Sequence, residues 1–175
     1  MNVMGIIYFF GIFPMVMIGL CVALHIAERH EEKTMCKKKL YAAYGSNMNL
    51  SQMAHRCPFV KKVGIGIIEN YELVFARNGY ADITPKKDSI VPVVVWELTN
   101  DCEARLDIYE GYPRFYEKKS LSVWMEGKNL SMMVYCMTYP YKQIRCAPPR
   151  HYFETIKEGI AENSLSEVMK TYLNS

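Results

Sequence analysis

Two places in the chain carry residue types whose spacing could do chemistry. The first is Tyr44-Gly45-Ser46-Asn47, where a glycine and two small polar residues follow the apolar run Leu40 to Tyr44. A turn of that kind between a buried strand and a helix presents successive backbone N–H groups. Backed by a helix N-terminus, such a nest holds a carboxylate or a phosphate. An ordinary strand-to-helix turn with a capping Asn has the same sequence, and both readings stand. The second place is Glu110, which ends a helical segment just before Gly111. The negative end of the helix dipole and Asp107, three residues earlier on the same face, both disfavour its ionised form. A carboxyl with a raised pKa is what proton shuttling requires, although a solvated surface Glu could occupy the same position.

Other chemistries find little support. Beyond residue 34 the histidines are His55 and His151, and neither stands at a ligand spacing, so no metal is expected. Cys36, Cys57, Cys102, Cys136 and Cys146 form no C-x-x-C pair and are odd in number. They read as free thiols, buried or half-buried, in a reducing compartment. No Ser-His-Asp set and no nucleotide-binding loop is evident, so no cofactor is expected. Without residues 1–34, Lys plus Arg falls from 21 to 19 and Asp plus Glu from 18 to 15, leaving +4 on 141 residues. That balance is mild and scattered, which argues against a nucleic-acid partner.

The elements that must position the two places can be read from pattern. Leu40 to Tyr44 is a short buried strand, and Asn47 or Asn49 caps a helix to about Arg56, with Leu50 and Met53 inward and Cys57-Pro58 closing it. Val60 to Phe75 is strand-like with a bend at Glu69-Asn70. Ala81 to Thr84 is a short strand, Pro85-Lys86-Lys87-Asp88 a turn, and Val91 to Leu98 the most strand-like run. Asn100 and Glu103 have capping-box spacing at the head of the next helix, Leu106 and Tyr109 form its apolar side, and Gly111 stops it. Two strands follow, Phe115 to Trp124 and Ser131 to Thr138, joined by hairpin chemistry at Gly127-Lys128-Asn129. After Ala147-Pro148-Pro149, residues 151–173 are helical with a break at Asn163-Ser164. This order predicts an α+β domain over residues 35–175, with a mixed, mostly antiparallel, barrel-like sheet and flanking helices.

Residues 1–34 read differently. Val3 to Leu24 is a run of 22 residues without a charged side chain, and at about 1.5 Å per residue it would cross a hydrocarbon core of roughly 30 Å. Lys and Arg follow only on its C-terminal side, so a membrane anchor through residues 3–24 would leave the domain in the cytosol. Alternatively translation starts at Met35, and the preceding residues are not native. A signal peptide fits worst, since the basic n-region and the cleavage site are missing.

Taken together, the two chemical places resemble those of the γ-glutamylcyclotransferase and AIG2-like family. The segment Tyr41 to Asn47 (YAAYGSN) matches the family's strand-turn signature, and LDIYEGY around Glu110 matches the segment bearing its catalytic Glu. The strand Val91 to Leu98 just before that helix agrees. So do MVYCMTYPY, the following APP, Tyr152 and the run Gly159 to Leu165, and the likeness covers nearly all of residues 39–166. The resemblance implies cyclisation of a small γ-glutamyl amide to 5-oxoproline with Glu110 as general acid/base. It further implies that Tyr41, Ala42, Ala43, Tyr44, Gly45 and Ser46 line the glutamyl end of the substrate, with Tyr116 and Tyr152 bordering it. Action on a γ-glutamylamine or another conjugate, or mere small-ligand binding, are the rival expectations.

Overall fold

The computed structural model describes residues 39–173, apart from the side chain of Thr171. The run Val3 to Leu24 and the start at Met35 lie outside the described residues. Among the described residues no helix is long and apolar enough to cross a membrane.

The apolar run Val91 to Leu98 becomes the centre of the sheet. It is the second half of strand β3 (Tyr80–Leu98), which pairs antiparallel with β1 (Lys39–Ala43) from Lys39↔Leu98 to Ala43↔Val94. On its other edge β3 pairs antiparallel with β2 (Lys61–Ala76). β2 meets β4 (Tyr116–Met125), β4 forms a hairpin with β5 (Lys128–Met137), and β5 returns to β1 in parallel at Tyr41↔Met133. The order β1-β3-β2-β4-β5 is a closed barrel, as the alternation of strands and helices predicts. Val93, Val94 and Val95 are consecutive and all fully buried, so this stretch is covered on both faces, and its sequence is apolar from Val91 to Trp96.

Several local expectations change. The residues Pro85 to Asp88 do not end a strand. They bulge opposite Asn70, with pairing at Tyr71↔Pro85 on one side and Glu69↔Ile90 on the other. Asn70 and Asp88 have φ of 59° and 60°, and the Asp88 N–H donates to the Asn70 side-chain oxygen at 3.2 Å. Turn-forming residue types therefore serve to bend a long ribbon, and the expected bend at Glu69-Asn70 is the same bulge. The hairpin turn is Glu126-Gly127, with φ of 50° and 78°, so Lys128 and Asn129 already belong to β5.

Helix α1 (Leu50–Arg56) is capped by Asn49, whose Oδ1 accepts the Gln52 N–H at 2.9 Å. Met53 is fully buried, but Leu50, the first helical residue, faces solvent at 38% exposure. Helix α2 (Asn100–Glu110) is capped by Thr99 rather than Asn100, the Thr99 hydroxyl accepting the Cys102 N–H at 3.2 Å. Glu103 is not a reciprocal cap. Its carboxylate lies 2.5 Å from Lys39 Nζ and 2.6 Å from Lys118 Nζ. Helices α3 (Arg150–Glu162) and α4 (Leu165–Leu173) are separated at Asn163-Ser164, as the sequence suggests. Asn163 donates to the Met48 carbonyl at 2.9 Å. A Cβ on Gly159 would stand 2.7 Å from the Asn49 nitrogen, so only glycine lets α3 lie this close to the turn that follows β1.

Candidate active site

Strand β1 ends at Ala43, and the chain turns through Gly45 into a single 3-10 turn, Ser46–Met48. Hydrogen bonds within this turn use the N–H groups of Met48 (to Gly45 O, 3.0 Å) and Asn49 (to Ser46 O, 3.1 Å). The amides of Gly45, Ser46 and Asn47 precede those donors, at the end of the turn where a helix start leaves N–H groups unpaired. Three contacts hold the turn in place: Trp96 of β3 donates to the Asn47 carbonyl at 3.0 Å, Asn163 at the end of α3 holds the Met48 carbonyl, and α3 packs against it at Gly159.

Glu110 approaches from α2. Gly111 closes that helix in the left-handed conformation (φ 65°), its N–H facing the carbonyls of Asp107 and Ile108, and the chain leaves the helix directly after Glu110. The carboxyl meets Asn47, whose Nδ2 donates to Glu110 Oε1 and to the Tyr41 hydroxyl, both at 2.8 Å. Asn47 Oδ1 in turn accepts a short bond from Arg56 of α1. Arg56 also donates to Ser46 Oγ at 3.1 Å, and its guanidinium stacks on the ring of Tyr109 at 3.7 Å.

Burial pushes the Glu110 carboxyl up to about 7, against the opposing pull of the Asn47 hydrogen bond and the Arg56 charge. The direction agrees with the sequence expectation, but the cause does not. Asp107 contributes nothing of note, because its carboxylate is held by Lys118 at 2.8 Å and by the Tyr135 hydroxyl at 2.6 Å. Nor is Glu110 a solvated surface group; it is half-buried and borders a cavity of about 360 Å³.

That cavity brings together most of the residues expected from sequence. Tyr41, Tyr44, Gly45, Ser46, Glu110, Tyr116 and Tyr152 all line it. Ala42 and Ala43 do not: both are fully buried in the strand core, where β1 is covered on both faces. Tyr116 and Tyr152 converge on one residue at the start of β3. The Tyr116 hydroxyl donates to the Ala81 carbonyl at 2.6 Å, and the Tyr152 hydroxyl accepts the Ala81 N–H at 3.2 Å. Burial raises the Tyr116 phenol well above its ordinary range and the Tyr152 phenol to about 12, so both remain neutral donors near pH 7.

Sequence reasoning missed other lining residues. Tyr80 stands edge-to-face with Phe115 (centroids 6.0 Å) and with the expected Tyr152 (5.3 Å), and Tyr135 packs edge-on against Tyr41 at 5.6 Å. Tyr109 had read as the inner face of α2, but it is 50% exposed at the cavity and covers Arg56. From sequence Asn47 reads as part of the chemical turn and as a possible cap, with no contact of its side chain to Glu110, and Arg56 reads only as a helix end. The one signal for Asn47 was its place in the turn signature; Arg56 had none. Among the described residues, no cluster of three or more His, Cys, Asp or Glu could hold a metal ion.

The structure is a small closed barrel with a carboxyl-bearing cavity, of a size for a small molecule, set against a strand-to-turn backbone. Residues 41–154 match the family described as "Gamma-glutamyl cyclotransferase, AIG2-like", and the chain belongs to that family. A solved structure titled "Gamma-glutamyl cyclotransferase" superposes with a TM-score of 0.70 at 25% identity, covering 79% of this chain and 88% of that one. An uncharacterized protein from Homo sapiens gives the same TM-score of 0.70 and the same coverage, 79% and 88%, at 26% identity. YkqA from Bacillus subtilis shares the fold, with a TM-score of 0.64 at 20% identity over 85% of this chain and 58% of that one. No curated protein matches the chain by sequence.

Proposed function

We propose that residues 35–175 form a cofactor-independent cyclotransferase, which converts a γ-glutamyl amide or γ-glutamyl amino acid to 5-oxoproline and a free amine or amino acid. The observation that carries this reading is the Glu110 carboxyl, raised to about 7 by burial, on a cavity that also includes Gly45 and Ser46.

The reaction needs little beyond those parts. The free α-amine of the substrate attacks its own γ-carbonyl, forming the N–C bond of a five-membered ring while one proton passes from that nitrogen to Glu110. The tetrahedral intermediate then expels the amide nitrogen, and Glu110 returns the proton to it as the C–N bond breaks. Nucleophile and electrophile belong to one molecule, so holding a folded conformer supplies most of the proximity advantage. Backbone amides at Gly45 and Ser46 are suited to the substrate α-carboxylate or to the developing oxyanion. Tyr41, Tyr44, Tyr116 and Tyr152 wall the cavity as neutral phenols and ring faces, the hydroxyl hydrogens of Tyr44 and Tyr116 being already given to the carbonyls of Tyr135 and Ala81. With Asn47 donating to Oε1, the other oxygen of Glu110 keeps both lone pairs for proton transfer.

The test is to incubate the protein with a panel of γ-glutamyl amino acids and γ-glutamylamines and to assay for 5-oxoproline. Release of 5-oxoproline from one or more of them is expected without added metal or nucleotide. A folded protein that binds members of the panel but cyclises none would make this a ligand-binding domain instead.

A further inference from the structure

The mechanism above uses Glu110 but leaves open why a carboxyl with a guanidinium two contacts away is not locked as an anion. A cation in direct contact holds a carboxylate ionised, which would disable a proton shuttle. Arg56 is not in direct contact. Its Nη1 bonds to Ser46 Oγ and Asn47 Oδ1, its Nη2 lies 2.9 Å from Gln52 Oε1 and 2.5 Å from the Tyr109 hydroxyl, and the Tyr109 ring covers its face. Arg56 is also not among the residues that line the cavity. Whatever it does for the reaction passes through what it holds.

What it holds is an amide with two possible orientations. A guanidinium can only donate, so the Asn47 end facing Arg56 has to be the carbonyl oxygen. The amide nitrogen is then turned to the other side, where its two hydrogens meet Glu110 Oε1 and the Tyr41 hydroxyl. Resting on the reading of Glu110 as the proton carrier, we propose that Arg56 is a positioning residue: it fixes the Asn47 amide in the one orientation that donates to Glu110 Oε1, and so reserves Oε2 for the migrating proton. A neutral amide carries the influence of the cation to the carboxyl in weakened form. The carboxyl is thereby oriented and still able to titrate.

The groups facing Glu110 come from every neighbouring element: Tyr41 of β1, Tyr44 just after that strand, Asn47 of the turn, Arg56 of α1, Tyr116 of β4, Tyr135 of β5 and Tyr152 of α3. The five phenols are all raised by burial and stay neutral, so Arg56 is the member of this set that is charged near pH 7. Removing it should let the Asn47 amide turn and should move the Glu110 titration to higher pH.

The experiment follows the carboxyl directly, by carbon NMR of the full chain with labelled Glu side chains, the Glu110 signal being assigned by its loss in Glu110→Gln. In Arg56→Met, and in Asn47→Ala, the Glu110 midpoint should rise by about one pH unit. The double variant should rise hardly further, because Arg56 acts through Asn47. Arg56→Lys keeps the charge but cannot span the same partners, so it should restore the midpoint only in part. In turnover, the acidic limb of kcat/KM should move with the NMR midpoint, about tenfold activity being lost at pH 6 and regained at alkaline pH. An unmoved midpoint in a folded Arg56→Met or Arg56→Lys protein overturns the proposal, as do additive shifts in the double variant or full restoration by Lys. The NMR titration needs no substrate, so a failed cyclisation assay with a shifted midpoint would count against the proposed reaction and not against this role of Arg56.

Discussion

Helix α2 carries two glutamates, Glu103 and Glu110, that the fold treats in opposite ways. Both lose water. Burial alone would raise Glu103 as well, but the hydrogen bonds and charges of Lys118 and Lys39 outweigh it and hold that carboxyl below its ordinary value. Glu110 meets a neutral amide instead of an ammonium group, and burial wins, to about 7. The lesson is that burial pushes both carboxyls up, and the group in first contact decides whether that push prevails. A direct cation makes a structural anion, and an amide backed by a distant cation leaves a carboxyl that can exchange a proton.

The strongest way to break the comparison is to neutralise each glutamate in turn. Glu110→Gln keeps size and hydrogen bonding but has no exchangeable carboxyl proton, so turnover on a γ-glutamyl substrate should fall by about 10²-fold or more. Glu103→Gln should change turnover by less than about threefold, since it touches Lys39 and Lys118 rather than the cavity. Comparable losses in both variants would erase the distinction.

Next in size, Gly159→Ala should disturb one region and spare the other. Its Cβ would stand 2.7 Å from the Asn49 nitrogen and 2.9 Å from the Met48 carbonyl carbon, so α3 and the 46–48 turn must part. A loss of about 2 kcal/mol in denaturant unfolding is expected. A fall in turnover should accompany it in the remaining folded protein, because Asn47 moves with the turn. Normal turnover and stability together would show that the contact does not hold the site.

Stability against pH should then separate the glutamates by sign. The folded pKa of Glu103 is lowered, so its contribution is present above its unfolded value near 4.5 and is lost as pH falls through the lower folded value. Glu103→Gln should therefore cost on the order of 1 kcal/mol at pH 7 and little in acid. The folded pKa of Glu110 is raised, so its contribution is present below 4.5 and is lost as pH rises through about 7. Glu110→Gln should leave acid stability unchanged and add on the order of 1–2 kcal/mol at pH 8, discounted for partial exposure. Thermal melts at pH 4.5, 7 and 8 read both signs, and a destabilised Glu110→Gln at pH 8 would contradict the assigned shift.

The smallest effect concerns the other end of the chain. A protein starting at Met35 keeps Lys39, Glu103, Asn47 and Glu110, and its turnover should lie within about twofold of the full chain, as expected of changes away from the site. A large loss would give residues 1–34 a part in catalysis.

What the sequence by itself determined was local and chemical. Glu110 before a helix-stopping Gly111, the Gly45-Ser46 turn after a buried strand, and the apolar run Val91 to Leu98 are all readable within a few residues, because capping, turn conformation and two-sided burial act over that range. The break at Asn163-Ser164 was legible for the same reason. Tertiary structure alone decided the rest. Pro85 to Asp88 looks like a turn until Asn70, far along the chain, shares the bulge. Glu103 has the spacing of a cap, yet two lysines from β1 and β4 claim its carboxylate. Ala42 and Ala43 sit inside the matching signature, but barrel closure buries them away from the cavity that their neighbours Tyr41 and Tyr44 line. The cause of the Glu110 shift belongs here too: desolvation and the chain from Arg56 through Asn47 depend on α1, α2 and the β1 turn meeting in space, and no spacing along one segment encodes that meeting.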